Sequence, residues 1–382
     1  MTTASPFVLL RDDLAGSEML FAEPVEVVQT DDPDGVLPAL ERLREASRAG
    51  RWTAGYFAYE AGFAFEPKLR RTMPDGRRTP LVCVGIFDAP AERPVRAAAA
   101  PSDAGLDHPR ALWSFADYRA RFDTLHHHLR QGDCYQANLT FPVNARWHGE
   151  PAAIFEKMTA RQPVRYAALV ELGGPVILSR SPELFFRVDR EGWIDTHPMK
   201  GTIRRGDTPV EDAALADFLR NDPKNQAENR MIVDLLRNDV SRVSEVGTLD
   251  VPELFRIETY PTVHQMVSRV RARLLPGAGL PDIFAALFPC GSVTGAPKLS
   301  AMLILNRLEA EPRDAYCGAI GWTAPDGRMC FNVAIRTVTL HEGGEAVFNV
   351  GGGIVFDSDA VSEYEECLLK ARFATGSAPA TG

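Results

Sequence analysis

The sequence predicts an α+β protein, and three observations carry that expectation. Helical periodicities are grouped between runs of strand-like alternation, without the strand–helix–strand rhythm of a doubly wound sheet. The C-terminal third meanders through apolar runs joined by turns at Asp326-Gly327 and Glu342-Gly343-Gly344. No G-x-G-x-x-G or G-x-x-x-x-G-K-[ST] enters a helix, so neither a dinucleotide nor a nucleoside triphosphate is indicated. At 382 residues the chain is long enough to bury a large core without disulfides. Its 42 Lys plus Arg against 51 Asp plus Glu give a net charge of −9, which argues against nucleic acid as the main partner. The six cysteines form no C-x-x-C pair and read as reduced thiols. Neither a leader peptide nor a membrane span is visible, so a cytoplasmic protein is expected.

Taken in order, short apolar runs at 7–10 and 25–28 predict strands, and a helix follows over 37–49 with Gly50 as its stop. The aromatic run Trp52 to Glu60 predicts a central strand that packs in the core, with a functional contact of Glu60 at its end as the alternative. Residues 67–80 read as a basic surface loop, and 81–87 as a strand. The stretch 88–109, rich in Ala and Pro, is expected not to pack and to mark a boundary. The division expected is an N-terminal α/β subdomain over 1–105, a larger domain over 106–375 and a flexible tail over 376–382.

Ser114 with Asp117 marks a helix start, and Tyr118, Phe122, Leu125 and Leu129 form its buried stripe. The run His126-His127-His128 on that helix points three ways and cannot chelate one ion. Strands are expected at 136–140, 166–172 and 175–179, and a hairpin at 184–188 and 193–197. Glu183 and Lys200 lie outside the open end of that hairpin and can meet across it. Residues 201–206 read as a mobile loop, and Thr208-Pro209-Val210-Glu211 as a strong helix start. A break at 221–226 precedes a helix over 227–237 with Glu228 in its first turn. Strand alternation after Tyr260, helices at 281–288 and 297–309, strands at 316–322, 329–340 and 346–356, and a helix over 360–373 complete the chain.

Several side chains suggest chemistry. Glu363, Glu366 and Lys370 share one face of the last helix; two carboxylates a turn apart suit a hard cation, with Glu228 completing the oxygens. A solvated helix face explains the same pattern. Arg336 sits in an apolar run, where it fits either a carboxylate ligand or a structural ion pair. Gly351, Gly352 and Gly353 inside a strand permit close backbone approach to a ligand. Ser292 and Thr294 can donate to an anion or simply shape a turn. Lys200, between Met199 and Gly201, is either a surface lysine or a nucleophile.

The ordered motifs Tyr135 to Thr140, Ser181-Pro182-Glu183, Pro198 to Thr202, Ala227-Glu228-Asn229 with Asp234 to Asp239, Gly291 to Lys298, and Gly351 to Val355 with Ser362 to Glu366 resemble the chorismate-utilising enzymes. Within that family the chain is similar to component I of the aminodeoxychorismate synthases, on the para-aminobenzoate branch of folate synthesis. The resemblance implies a fold of large antiparallel sheets packed face to face with helices outside. It implies Mg²⁺ on Glu228 and Glu366 with Glu363 close by, and substrate carboxylates seated by Tyr316, Arg336, the backbone of Gly351 to Gly353, and Lys370. Ser292 matches a hydroxyl near the ring and His264 a histidine facing the reacting side. Lys200 and Glu183 match a nucleophile and the acid that protonates the departing C4 hydroxyl of chorismate. Ammonia is then expected from a separate glutamine amidotransferase subunit, since the chain has no G-x-C-x-G elbow. Asn225 departs from the pattern, standing where the family often has an acid. Anthranilate and isochorismate synthases are the nearest alternatives, and a non-catalytic chorismate-binding protein a more distant one.

Overall fold

The computed structural model describes residues 5–91, 103–260 and 263–381, and in them two antiparallel sheets lie face to face between outer helices. One sheet, of nine strands, runs in the order Gly295–Ala296, Gln136–His148, Glu345–Val355, Thr337–His341, Val176–Ser181, Tyr166–Glu171, Phe7–Asp12 and Ser17–Ala22, with Gly105–Ala111 also on Gln136–His148. The other, of ten, runs Met199–Arg204, Val263–Arg273, Trp193–Thr196, Leu184–Val188, Met329–Val333, Ala319–Thr323, Trp52–Phe57, Val82–Phe87 and Glu26–Thr30, with Asp250–Thr259 also on Val263–Arg273. Strands with both faces covered read as near-continuous apolar runs, which is why Val82–Phe87 is buried at every position.

Three apolar clusters match the layers. One joins the ten-stranded sheet to helices Val36–Arg48, Pro223–Ser241 and Leu280–Leu287. A second joins the nine-stranded sheet to Phe115–Gln131, Pro151–Arg161, Lys298–Glu309 and Ala360–Thr375. The third, between the sheets, includes Val8, Tyr56, Ala168, Ile177, Ile320 and Ala334. Helix Phe115–Gln131 begins with the expected Ser114–Asp117 capping box and ends on Gly132 in the left-handed region. None of the described helices is long and apolar enough to cross a membrane.

One ladder passes through both sheets. Strand Val176–Ser181 pairs with Thr337–His341 in one sheet, and its continuation Leu184–Val188 pairs with Met329–Val333 in the other. Each chain therefore changes sheet at the same level, at 182–183 and at 334–336. The two crossings are bonded together: Glu183 O accepts from Val333 N at 3.1 Å, Val333 O from Ser181 Oγ at 2.6 Å, and Arg336 O from Arg180 N at 2.9 Å. Arg336 adopts φ 52°, which breaks the single strand expected over 329–340.

Other expectations shift similarly. The expected loop 201–206 is largely strand, because Ile203 and Arg204 pair with His264 and Val263. The break at 221–226 shrinks to Asp222, which caps a helix starting at Pro223, so Glu228 falls in its second turn. Tyr316 precedes its strand, which begins at Ala319. Within the basic loop Pro67–Arg70 is a short helix. Of the stretch expected not to pack, 92–102 lies outside the described residues, whereas Gly105–Ala111 is a strand. Pro261 and Thr262 also lie outside them. Residues from the expected N-terminal subdomain contribute strands to both sheets, and the tail expected to fray is tied by Ala111 N to Ala380 O at 2.9 Å.

A buried polar hub fastens the layers. The guanidinium of Arg313, 2% exposed, forks onto Glu309 at 2.7 and 2.8 Å and donates to Val293 O and Asn138 O. Glu60 accepts from the backbone N–H groups of Arg313 and Asp314. Burial, then the neighbouring Asp314 charge, push the Glu60 carboxyl well above the usual range. Removing one partner of such a hub strands the other charge. Arg313→Met is therefore expected to lose about 3–5 kcal/mol in urea unfolding; an unchanged midpoint would show that the hub is not a fastening.

Candidate functional site

The paired crossings set two opposite charges side by side. Glu183 is 6% exposed, and burial pushes its carboxyl up to about 7, while Ser292, Lys200 and Arg336 pull in the other direction. Burial pushes the Arg336 guanidinium down to about 10 against the opposing pull of Glu183. Four of the residues singled out by sequence, Glu183, Lys200, Ser292 and Arg336, thus share one electrostatic neighbourhood. Ser292 also lies 3.3 Å from Cys290 Sγ.

Lys200 projects from a bulge in strand Met199–Arg204. Gly201 takes φ +97°, and a Cβ there would sit 2.9 Å from Asn225 Oδ1. Two side chains not anticipated from sequence hold this turn. Asn229 donates to Lys200 O at 3.3 Å and accepts from Ser268 Oγ at 2.6 Å. Gln265 donates to Gly201 O at 2.9 Å and accepts from Thr202 Oγ1 at 2.8 Å. The Lys200 amine then lies 3.5 Å from Glu228 Oε2.

The glycine run makes room for that amine. A Cβ on Gly353 would stand 2.9 Å from both Lys200 Nζ and Gln136 Nε2, and one on Gly352 3.0 Å from Glu363 Oε2. Register explains the meeting, since Gly353 and Val355 pair with Asn138 and Gln136. Gln136 is 1% exposed and its Oε1 has no partner, a second feature that the motif alone did not reveal.

On helix Ala360–Thr375, Lys370 Nζ pairs with Glu366 Oε1 at 2.8 Å and donates to Gly351 O at 2.9 Å. Glu363 accepts from Ser358 Oγ at 2.7 Å. Burial raises the Glu363 carboxyl; at Glu366 burial also raises, but Lys370 and Lys200 outweigh it and the net shift is downward. Glu228, Glu363 and Glu366 are hard oxygen donors of the kind magnesium takes, and Lys200 stands among them as a surrogate cation. In charge and chemistry they fit such an ion, although among the described residues no three acidic, His or Cys side chains already form a closed chelate.

Other residues are placed differently. Tyr316 is buried, and burial, then the nearby Cys317, raise its phenol; Cys367 on the glutamate helix also contributes. His264 has both ring nitrogens bonded to other groups. Its Nε2 meets Asp212 Oδ1 at 2.9 Å and its Nδ1 Thr259 Oγ1 at 3.0 Å, toward helix Pro209–Asn221. Adjacent strand residues face opposite ways, so Gln265 turns instead to Gly201 O and Thr202 Oγ1. Lys298 is a fastening, paired with Asp239 at 2.7 Å and donating to Leu287 O at 2.8 Å.

Comparisons with known proteins bear on this arrangement. The family described as chorismate binding enzyme matches residues 5–376. Aminodeoxychorismate synthase component 1 of Klebsiella aerogenes is 42% identical over 261 residues, 68% of this chain and 57% of that protein. Anthranilate synthase component 1 1 of Haloarcula marismortui is 41% identical over 259 residues, 68% of this chain and 52% of that protein. The match therefore spans little more than half of either curated relative. The crystal structure of anthranilate synthase component I from Streptococcus pneumoniae TIGR4 has a TM-score of 0.79 at 25% identity, over 97% of this chain and 92% of that one. Near-equal identity to relatives with two different names leaves the choice of reaction to the site.

The raised Glu183 carboxyl has a thermodynamic sign. Its folded pKa, about 7, exceeds the ordinary glutamate value of 4.5, so the neutral form is favoured on folding. The stability it contributes is complete below about 4.5 and lost as pH rises through about 7. Glu183→Gln, which cannot ionise, is expected to gain on the order of 2 kcal/mol relative to the parent between pH 5 and 8. Parallel stability profiles would refute the shift.

Proposed function

The chain belongs to the chorismate-binding enzyme family, and from that premise we propose that it is the aminating component of an aminodeoxychorismate synthase, converting chorismate and ammonia to 4-amino-4-deoxychorismate. The observation that carries this reading is an amine, Lys200, within electrostatic reach of a carboxyl, Glu183, that burial pushes up to about 7. Near neutral pH such a carboxyl is partly protonated and can serve as a general acid.

In this scheme Arg336, Lys370 and the backbone at Gly351 to Gly353 seat the two carboxylates of the substrate, with Tyr316 and Ser292 lining the ring. A magnesium ion on Glu228 and Glu366, with Glu363 beside them, would supply a hard electrophilic anchor for the ring carboxylate. Lys200 attacks C2 as the free amine, the ring double bond shifts, the C4 oxygen leaves as water with a proton from Glu183, and the resulting Glu183 carboxylate takes the proton from the new C2–N nitrogen. Ammonia next adds at C4, the double bond shifts back, and the C2–N bond to Lys200 breaks, releasing the free amine. Two allylic substitutions replace one difficult displacement. His264, bonded on both ring nitrogens, acts here only by bracing the strand that carries Gln265.

The names of the relatives, component 1, support a separate glutamine amidotransferase subunit as the ammonia source. A second reading, anthranilate synthesis, is favoured by the 41% identical Haloarcula relative. There ammonia would enter at C2 and pyruvate would be released, leaving Lys200 without a covalent role. The two separate in one assay: chorismate, Mg²⁺ and ammonium should yield aminodeoxychorismate without pyruvate. Stoichiometric anthranilate and pyruvate would establish the second reading instead.

A further inference from the structure

The amine assigned to attack the ring already rests on a carboxylate assigned to the cation. Lys200 Nζ lies 3.5 Å from Glu228 Oε2, and both side chains are mostly buried, 24% and 20% exposed. The same ammonium acts on Glu363 and Glu366. Every carboxylate of the group has an internal partner: Lys200 for Glu228, Ser358 for Glu363, and Lys370 for Glu366. Glu363 and Glu366 repel one another, and the Lys200 charge that pairs with Glu228 also reaches both of them.

We infer that Lys200 and a divalent cation compete for Glu228, so that the cation binds tightly only when the amine has swung off the carboxylates toward the ring. The inference rests on the metal reading of Glu228, Glu363 and Glu366 given above. The geometry allows the exchange with little disturbance. Asn229, next to Glu228 on the same helix, holds Lys200 O, while Gln265 holds Gly201 O, so the root of the lysine is fixed. Gly353 leaves open the space beside Nζ that a Cβ would fill. Only the flexible four-carbon stem has to rotate. Because linkage is reciprocal, engagement of the amine by substrate raises cation affinity by the same factor with which the cation raises substrate affinity. Metal and substrate therefore bind with positive coupling, and a site with metal alone is weak.

The test measures binding rather than turnover. Mn²⁺ is titrated by calorimetry into the full chain without substrate, for the parent, Lys200→Ala and Lys200→Arg, with circular dichroism to establish folding. Lys200→Ala should tighten Mn²⁺ by about fivefold at low salt, the size expected of one partly exposed ion pair. Lys200→Arg should weaken it below the parent, because a forked guanidinium holds Glu228 more firmly than an ammonium. In a Glu228→Gln background the dependence on residue 200 should shrink to the weaker effect that Lys200 exerts through Glu363 and Glu366. Equal Mn²⁺ affinity in all three chains, with binding still lost in Glu366→Gln, would overturn the competition and leave the metal reading standing. No Mn²⁺ binding in any chain would overturn both.

Discussion

The site depends on a paired crossing of the backbone from one sheet to the other. Two hydrogen-bonded strands, 176–188 and 329–341, change sheet at the same level, and Glu183 and Arg336 occupy the two crossings. Strand residues in a packed sheet point either into the helix layer or into the gap between sheets. A crossing residue is free of that alternation. Here it delivers a carboxyl and a guanidinium to a place where apolar side chains would otherwise close the interior. The bond from Val333 N to Glu183 O and that from Ser181 Oγ to Val333 O keep the crossings in register, so the two charges are held by backbone rather than by each other.

The consequence is electrostatic. A carboxyl and a guanidinium taken out of water are both pushed toward their neutral forms, and each limits the shift of the other. Glu183 ends near neutrality, where it can hold or release a proton, while Arg336 remains a cation able to meet a carboxylate. Lys200 and Lys370 add positive charge, and the glutamates of two helices answer it. Three cationic side chains, Lys200, Arg336 and Lys370, are thereby gathered among the carboxyls of Glu183, Glu228, Glu363 and Glu366. Farther out, the Arg313 fork on Glu309 reaches Val293 O and Asn138 O, tying the loop of Ser292 to the strand of Gln136.

How much of this was legible in the sequence varies with the range of the interaction. Local signals read well: the Ser114 and Thr208 caps, the 184–196 hairpin, and the shared face of Glu363, Glu366 and Lys370 all lie within a few residues of their cause. The α+β architecture followed from the order of the strands, and the face-to-face sheets from motif resemblance. Strand Met199–Arg204 was hidden because its pairing partner lies some sixty residues on, and glycine and arginine there resemble a loop. The break at Arg336 was hidden because Val333 to Val338 has the composition of one strand. Asn229 and Gln265 carry no signal of their own; they matter because bulge and register bring them to the lysine turn. His264 stands beside Gln265 in sequence but faces the opposite side of the strand.

The account finally rests on whether the Lys200 amine bonds to the substrate ring. Intact-mass measurement of the protein held with chorismate and Mg²⁺, without ammonia, tests this most directly, with peptide mapping to locate any added mass. The account predicts one adduct per chain, of chorismate less one water, on the peptide containing Lys200 and discharged on adding ammonium. An unmodified chain that nevertheless turns chorismate into aminodeoxychorismate once ammonium is added would contradict it.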